Sequence, residues 1–320
     1  MVLLSVVVFV LARLCPGDPL QAYYGDTLDR MSDAQKELAR DNLGLNDSLF
    51  NQYVHWAQNV FHGDWGISFK YKQPVGAVIG RLWFNTLLLG GVSYLLTFWG
   101  ALRLGQFLAL REGSLTDRLV AKVGIVSGLI PTFFLSLAVI LIFGVNLHLF
   151  PTGGAYSLGQ ADNIVDRIWH LILPVTVMTI SHLWYYAYMI RNMLLEEVRK
   201  DYVLLCKAEG LPKKAILRRY CTRNIRPRLL VVMAIAVPHI LGGTYIVETV
   251  FGYPGIGTLT IESALYKDYN TLMALSLLTG LVVLVCNLVA QVAGEFIDPR
   301  MRYVESELAI GNQKEEGVVQ

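Results

Sequence analysis

The chain has 320 residues, of which 54% are hydrophobic and only 16% charged, with a formal net charge of +2 and a mean hydropathy of +0.46. Soluble domains carry about 25% charged residues, and a globule of this length has too little interior to hide so much apolar side chain, which argues against a water-soluble enzyme. The four cysteines, Cys15, Cys206, Cys221 and Cys286, lack metal-ligand or redox spacing, so neither a disulfide framework nor a zinc site is supported.

In chain order, the first element is Met1–Leu14, apolar from Val2 to Ala12 and then stopped by Arg13 and the breaker run Cys15 to Pro19. It has no basic leader and no small-residue cleavage site, so it reads as a membrane helix (1–15) rather than a signal peptide. The chain opens inside this helix, and an earlier natural start is expected. Residues 16–81 are too long for a turn. Ser32–Leu43 and Ser48–Phe61 each begin with a capping serine and repeat apolar residues at helical spacing, which predicts two short helices in a small external segment. A spanning helix needs about 20 mostly apolar residues. Five stretches within 82–297 meet this: Leu82–Leu110, Leu119–Phe150, Trp169–Ile190, Leu229–Phe251 and Leu272–Ile297. With the first helix they make six spans in an all-α membrane protein, followed by a tail, 298–320. No internal repeat or coiled-coil heptad accompanies them.

Charge sets the orientation. Between Arg191 and Arg228 lie eleven basic residues against four acids, and Arg111–Lys122 adds Arg111, Arg118 and Lys122. By the positive-inside rule both loops are cytoplasmic, and so are both termini. Pro16–Arg81, Pro151–Ile168 and Gly252–Thr271 then face outward. Within the basic loop (194–228), helical composition runs to Glu209. Gly210 permits the left-handed geometry that ends a helix, and Leu211-Pro212 restarts one. Leu211, Ala215, Ile216 and Tyr220 are expected on one side, with Lys213, Lys214, Arg218 and Arg219 largely elsewhere. A bent pair of short amphipathic helices suits docking into a groove on a soluble partner; a basic loop resting on anionic lipid is the alternative.

Glu248 lies near the outer end of its span. It is either hydrated at the interface or bonded to amides of the following turn, or it lines a pore or gate. Phe251-Gly252-Tyr253-Pro254-Gly255-Ile256-Gly257 holds three glycines and a proline, so it cannot be helical throughout. It predicts a re-entrant loop at the outer mouth, where irregular backbone is tolerated beside water or protein, or else a plain turn. Pro131, Pro174 and Pro238 can kink spans, while Gly90-Gly91, Gly124, Gly128 and Gly242-Gly243 allow close packing. Ser136, Thr179, Ser181, Thr244 and Tyr245 are weak candidates for lining a path. The six histidines form no two-ligand helical pair; His182 and His239 are the candidates for a transient metal ligand, and no resident metal site is expected.

Several of these segments together resemble a known family. Ala208-Glu209-Gly210 with Arg223-Asn224 and Pro227 resembles the EAA loop of ABC-importer permeases. Further motifs are similar to the dipeptide, oligopeptide and nickel permease family: Pro16-Gly17-Asp18-Pro19, Leu43-Gly44-Leu45 followed by Tyr53 and Trp56, Gly63-Asp64-Trp65-Gly66-Ile67-Ser68, Glu248 to Gly257, and Asp298-Pro299-Arg300. The triplet departs from Glu-Ala-Ala, reading Lys207-Ala208-Glu209. The resemblance implies a non-enzymatic subunit of an ATP-driven importer in a bacterial or archaeal plasma membrane. Its expected partners are a second permease subunit, two ATPases that hold the ATP and magnesium, and an extracellular substrate-binding protein. No nucleic acid is expected, and the chain binds no cofactor itself, since it lacks the G-x-x-x-x-G-K-[ST] phosphate loop. Ala208, Glu209, Gly210, Leu211, Lys213, Lys214, Ile216, Arg223 and Asn224 are expected to couple to the ATPases. Glu248, Phe251, Tyr253, Pro254, Gly255 and Gly257 are expected to form the outer gate. The cargo is a peptide or a nickel or other metal chelate. A secondary transporter driven by an ion gradient is the competing class; it predicts inverted repeats and several intramembrane carboxylates, whereas only Glu248 and Glu295 qualify. A membrane enzyme would need a nucleophile and base at membrane depth, and no such set is seen.

Overall fold

The computed structural model describes residues 1–14, 19–42, 44 and 46–297. The motif residues Pro16, Gly17, Asp18, Leu43, Leu45 and Asp298-Pro299-Arg300, and the tail beyond, lie outside the described residues. Among the described residues the chain is helical, with one isolated bridge between Ile67 and Pro74.

The N-terminal elements are α1 (Val2–Leu14), α2 (Pro19–Tyr24), a 3-10 turn (Gly25–Arg30), α3 (Asp33–Asn42) and α4 (Leu49–Phe61). Both predicted serine caps form. Ser32 and Gln35 make a reciprocal capping box (2.9 and 3.4 Å), and the Ser48 hydroxyl accepts the Asn51 N–H (3.3 Å). Of the apolar residues on α4, Tyr53 and Trp56 reach α1: their rings lie 5.4 and 6.1 Å from the Phe9 ring. Leu49, Phe50 and Phe61 stay exposed.

The long helices are α5 (Val75–Leu110), α8 (Ile164–Val198), α11 (Thr222–Val250) and α13 (Tyr269–Ile297). Each is long and apolar enough to cross a membrane. The stretch expected as one span, Leu119–Phe150, is instead broken. Helix α6 (Leu115–Ser127) stops at Gly128, and α7 (Thr132–Val139) starts after Pro131, continuing as a π-helical turn Ile140–Asn146. Proline has no N–H and disfavours helix at the residue before it, so Gly128 to Pro131 divides what a hydropathy window joins. At 13 residues, α1 is shorter than a full span. Between α8 and α11 lie α9 (Asp201–Ala208) and α10 (Lys213–Ala215), which runs through a π turn, Ile216–Cys221, into α11. A helix not read from the sequence, α12 (Ile256–Leu265), follows the glycine-rich turn.

The chain divides into two compact units. The first comprises Met1–Gly91, Thr132–Val175 and Gly242–Val282. Its clusters are Phe9, Ala12, Phe69, Tyr269 and Met273, and Val78, Ile256, Leu259 and Leu275. The Gly63–Ser68 motif joins these parts. Asp64 accepts the Gly66 N–H (2.9 Å), a side chain on Gly66 would meet Asn270, and the Ser68 hydroxyl donates to the buried Asp268 carboxylate. The second unit comprises Val92–Pro131, Thr176–Leu241 and Val283–Gln320. Here α5 and α6 press on α8 through Gly105, whose Cβ would lie 3.0 Å from the Ala187 carbonyl, and Gly124, whose Cβ would lie 3.1 Å from that of Trp184. Asp117 of α6 takes a two-pronged ion pair from Arg191 of α8 (2.5 and 2.6 Å).

Candidate functional site: a carboxylate-ordered turn and a basic hairpin

The turn after α11 is organised by Glu248, which has no exposed surface. One carboxylate oxygen accepts the Thr86 hydroxyl (2.6 Å), and the other accepts the N–H groups of Gly257 (2.7 Å) and Thr258 (3.2 Å). The Thr86 oxygen in turn accepts the N–H of Ile256 (2.8 Å). The first three amides of α12, which no helix can satisfy internally, are thus all taken by side-chain oxygens. The bond to backbone amides of the turn, one of the readings open for Glu248, is present. The turn leaves no room for side chains: a Cβ on Gly255 would strike the Glu248 carboxylate, and one on Gly257 would strike the Tyr245 backbone. Asn85 donates to the Pro254 carbonyl (2.7 Å), Thr258 to the Tyr253 carbonyl (2.9 Å) and the Gly154 N–H to the Phe251 carbonyl (2.8 Å). Phe251 and Tyr253 are buried.

Nearby, Glu262 accepts from Lys70 (2.5 Å) and from the Tyr71 hydroxyl (2.7 Å). Burial pushes the Glu262 carboxyl up, but these two bonds outweigh it and hold the group below the ordinary carboxylate value. Burial first, and then the bond to Glu262, push the Tyr71 phenol up to about 12.

The basic hairpin lies wholly in the second unit. Gly210 adopts φ +79°. Its N–H reaches the Lys207 carbonyl (3.0 Å) and that of Leu211 reaches Cys206 (3.1 Å), the paired bonds that close a helix on a left-handed residue. Pro212 then opens α10. At the tip, Lys207, Ala208, Glu209, Gly210, Lys213 and Lys214 are exposed and Leu211 is half-buried, while Arg223 and Asn224 are exposed at the start of α11. Ile216 is buried at 3% exposure, as are Leu217, Cys221 and Ile225. Tyr220, expected on the same side as Ile216, is exposed.

Sequence reading passed over the residue that ties the hairpin's base, Glu197. It is 4% exposed and accepts from Tyr202 (3.0 Å), Asn224 (3.2 Å) and Lys200 (2.8 Å). Burial, together with bonds to Cys221 and Glu197, pushes the Tyr202 phenol up. Glu197 falls three residues after Leu194 and seven after Ile190, both fully buried. An acid on the apolar stripe of α8 was therefore the available signal.

Among the remaining candidates, His182 and His239 do come together, with ring centroids 5.3 Å apart, and the His182 Nδ1 faces the Met178 carbonyl (2.8 Å). No group of three or more potential ligands occurs among the described residues. The hydroxyls of Ser136 and Ser181 donate to carbonyls one turn back (2.8 and 2.9 Å) and Tyr245 meets Thr279 (2.8 Å).

Residues 101–303 match the family model described as binding-protein-dependent transport system inner membrane component, and residues 1–87 match the model of its N-terminal part. The oligopeptide transport system permease protein AppB of Bacillus subtilis (strain 168) is 32% identical over 301 residues, 94% of each chain. The probable D,D-dipeptide transport system permease protein DdpB of Escherichia coli (strain K12) is 30% identical over 315 residues, 92% of each chain. Among solved structures, an inward-facing form of the MetNI methionine ABC transporter superposes with a TM-score of 0.51 at 19% identity, covering 68% of this chain and 96% of that one. That likeness is one of fold.

Proposed function

The chain belongs to the family of binding-protein-dependent transport system inner membrane components, the permeases of ABC importers, and we propose that its cargo is a peptide, passed through a path shared with a second permease subunit. The observation that carries this reading is the 32% identity to an oligopeptide permease across 94% of both chains. An ion-gradient transporter is not favoured by these relatives. An extracellular binding protein delivers the peptide, and two ATPase subunits, which hold ATP and magnesium, supply the energy.

The same reading assigns the two sites. The turn ordered by Glu248 is the outer gate, and the hairpin around Gly210 is the coupling element gripped by an ATPase. Its exposed tip stands on a base pinned by buried Glu197. Six spans follow if α1 and the broken α6–α7 pair each count as one, with both termini in the cytoplasm of a bacterial or archaeal cell and α2 to α4 outside.

Deleting the gene and measuring uptake of a labelled tripeptide in whole cells tests the cargo. Uptake is expected to fall to background and to return with the intact gene, while uptake of radioactive nickel is unchanged. Unchanged peptide uptake, or selective loss of nickel uptake, overturns the reading.

A further inference from the structure

The first unit holds a polar feature that neither the turn nor the hairpin accounts for. A cavity of about 450 Å³ is lined by the start of α5, by Tyr156 and Arg167, and by Pro254 of the gate turn. Small-molecule sites commonly measure about 300–1,000 Å³. Two arginines line it, Arg81 and Arg167, and neither has an acidic partner among the described residues. Arg81 donates to the Gln73 Oε1 (2.6 Å). Arg167 donates its Nε–H to the Ala161 carbonyl (2.7 Å) and lies 5.3 Å from the Tyr156 ring centroid. A guanidinium carries five N–H donors, so most of the donors on each arginine have no protein acceptor among the described residues.

The neighbouring acids are committed elsewhere. Glu262 is held by Lys70 and Tyr71, and Asp166 accepts the N–H and hydroxyl of Ser157 (2.6 and 2.9 Å). Val78, Leu82 and Phe84 supply an apolar wall. Unspent guanidinium forks beside apolar surface match a planar anion attached to an apolar group: the fork fits a carboxylate geometrically as well as by charge.

We propose that this cavity is a subsite for the C-terminal carboxylate and apolar last side chain of a peptide. The inference rests on the peptide-permease reading. Asn85 and Pro254 line the cavity and are bonded to each other, so an occupant would touch the gate turn itself.

The test uses the complete wild-type transporter in phosphatidylcholine nanodiscs, treated with phenylglyoxal and mapped by mass spectrometry. Ala-Ala-Phe is expected to slow modification of Arg81 and Arg167 about tenfold, the scale of one charge-assisted contact. Its C-terminal amide should not, and exposed Arg218 should react at one rate throughout. No protection, or equal protection by the amide, overturns the subsite. So does protection that needs phosphatidylglycerol or comes from peptide-free binding protein, since the anion is then a lipid phosphate or a protein carboxylate. In reconstituted uptake, Arg81→Gln with Arg167→Gln should lower the preference for acid over amide by about tenfold, and an unchanged preference counts against the proposal. Peptide uptake without protection refutes the subsite and leaves the permease reading standing. Protection without uptake supports the subsite and counts against the cargo.

Discussion

Glu248 is a carboxylate with no exposed surface in a chain selected for apolarity, and its survival there is a matter of donors. Three hydrogen bonds reach it, two of them from the first turn of α12, so the carboxyl oxygen replaces the water that those amides would otherwise need. Glu248→Gln keeps the shape and removes one acceptor. If the new amide nitrogen faces Gly257 and Thr258, their N–H groups go unmet; if it faces Thr86, the threonine proton loses its acceptor. Either orientation strands a buried donor at a cost of about 1–3 kcal/mol. The expected result is a lower thermal unfolding midpoint for the purified protein, and a midpoint equal to wild type would refute the account. The sequence made Glu248 conspicuous because a lone acid among apolar residues stands out. Glu197 escaped notice because it sits among charges, and its partner Asn224 is 27 residues away, a distance over which composition carries no pairing information.

Among the elements, those governed by local chemistry were legible. Both serine-capped helices appear, and so does the bend at Gly210, because caps and left-handed residues act over three or four positions. The split of Leu119–Phe150 and the existence of α12 were not legible. Hydropathy records composition and carries no direction, and the amides that start α12 depend on Thr86 and Glu248, neither of them adjacent. The bend can be tested apart from the rest. At Gly210 a Cβ meets nothing, but φ is +79°, so Gly210→Ala is expected to cost about 1–2 kcal/mol, the penalty of a left-handed L-residue. Gly210→Pro both forbids that φ and removes the N–H that bonds Lys207. If the hairpin tip couples ATP use to movement, Gly210→Pro should reach the membrane in normal amount and still hydrolyse ATP in the assembled complex, yet fail to import; Lys213→Glu with Lys214→Glu should behave alike. Import at the wild-type rate by either would detach the hairpin from coupling.

For the molecule as a whole, the proposed membrane orientation rests on a count of charges: eleven basic residues against four acids between Arg191 and Arg228. That orientation is sharply testable. Leu158, in the segment before α8, is fully exposed, and Lys214 stands exposed on the hairpin, so a cysteine at either place should react freely. The native thiols Cys206 and Cys221 are buried, which keeps the background low, and wild-type protein measures what background remains. With a membrane-impermeant maleimide, Leu158→Cys should label in intact cells. Lys214→Cys should label only once the membrane is opened, because the ATPases that the hairpin must meet can be supplied with ATP only from inside. Labelling of Lys214→Cys in sealed cells would place the hairpin where no nucleotide is available, and the coupling role would fall with it.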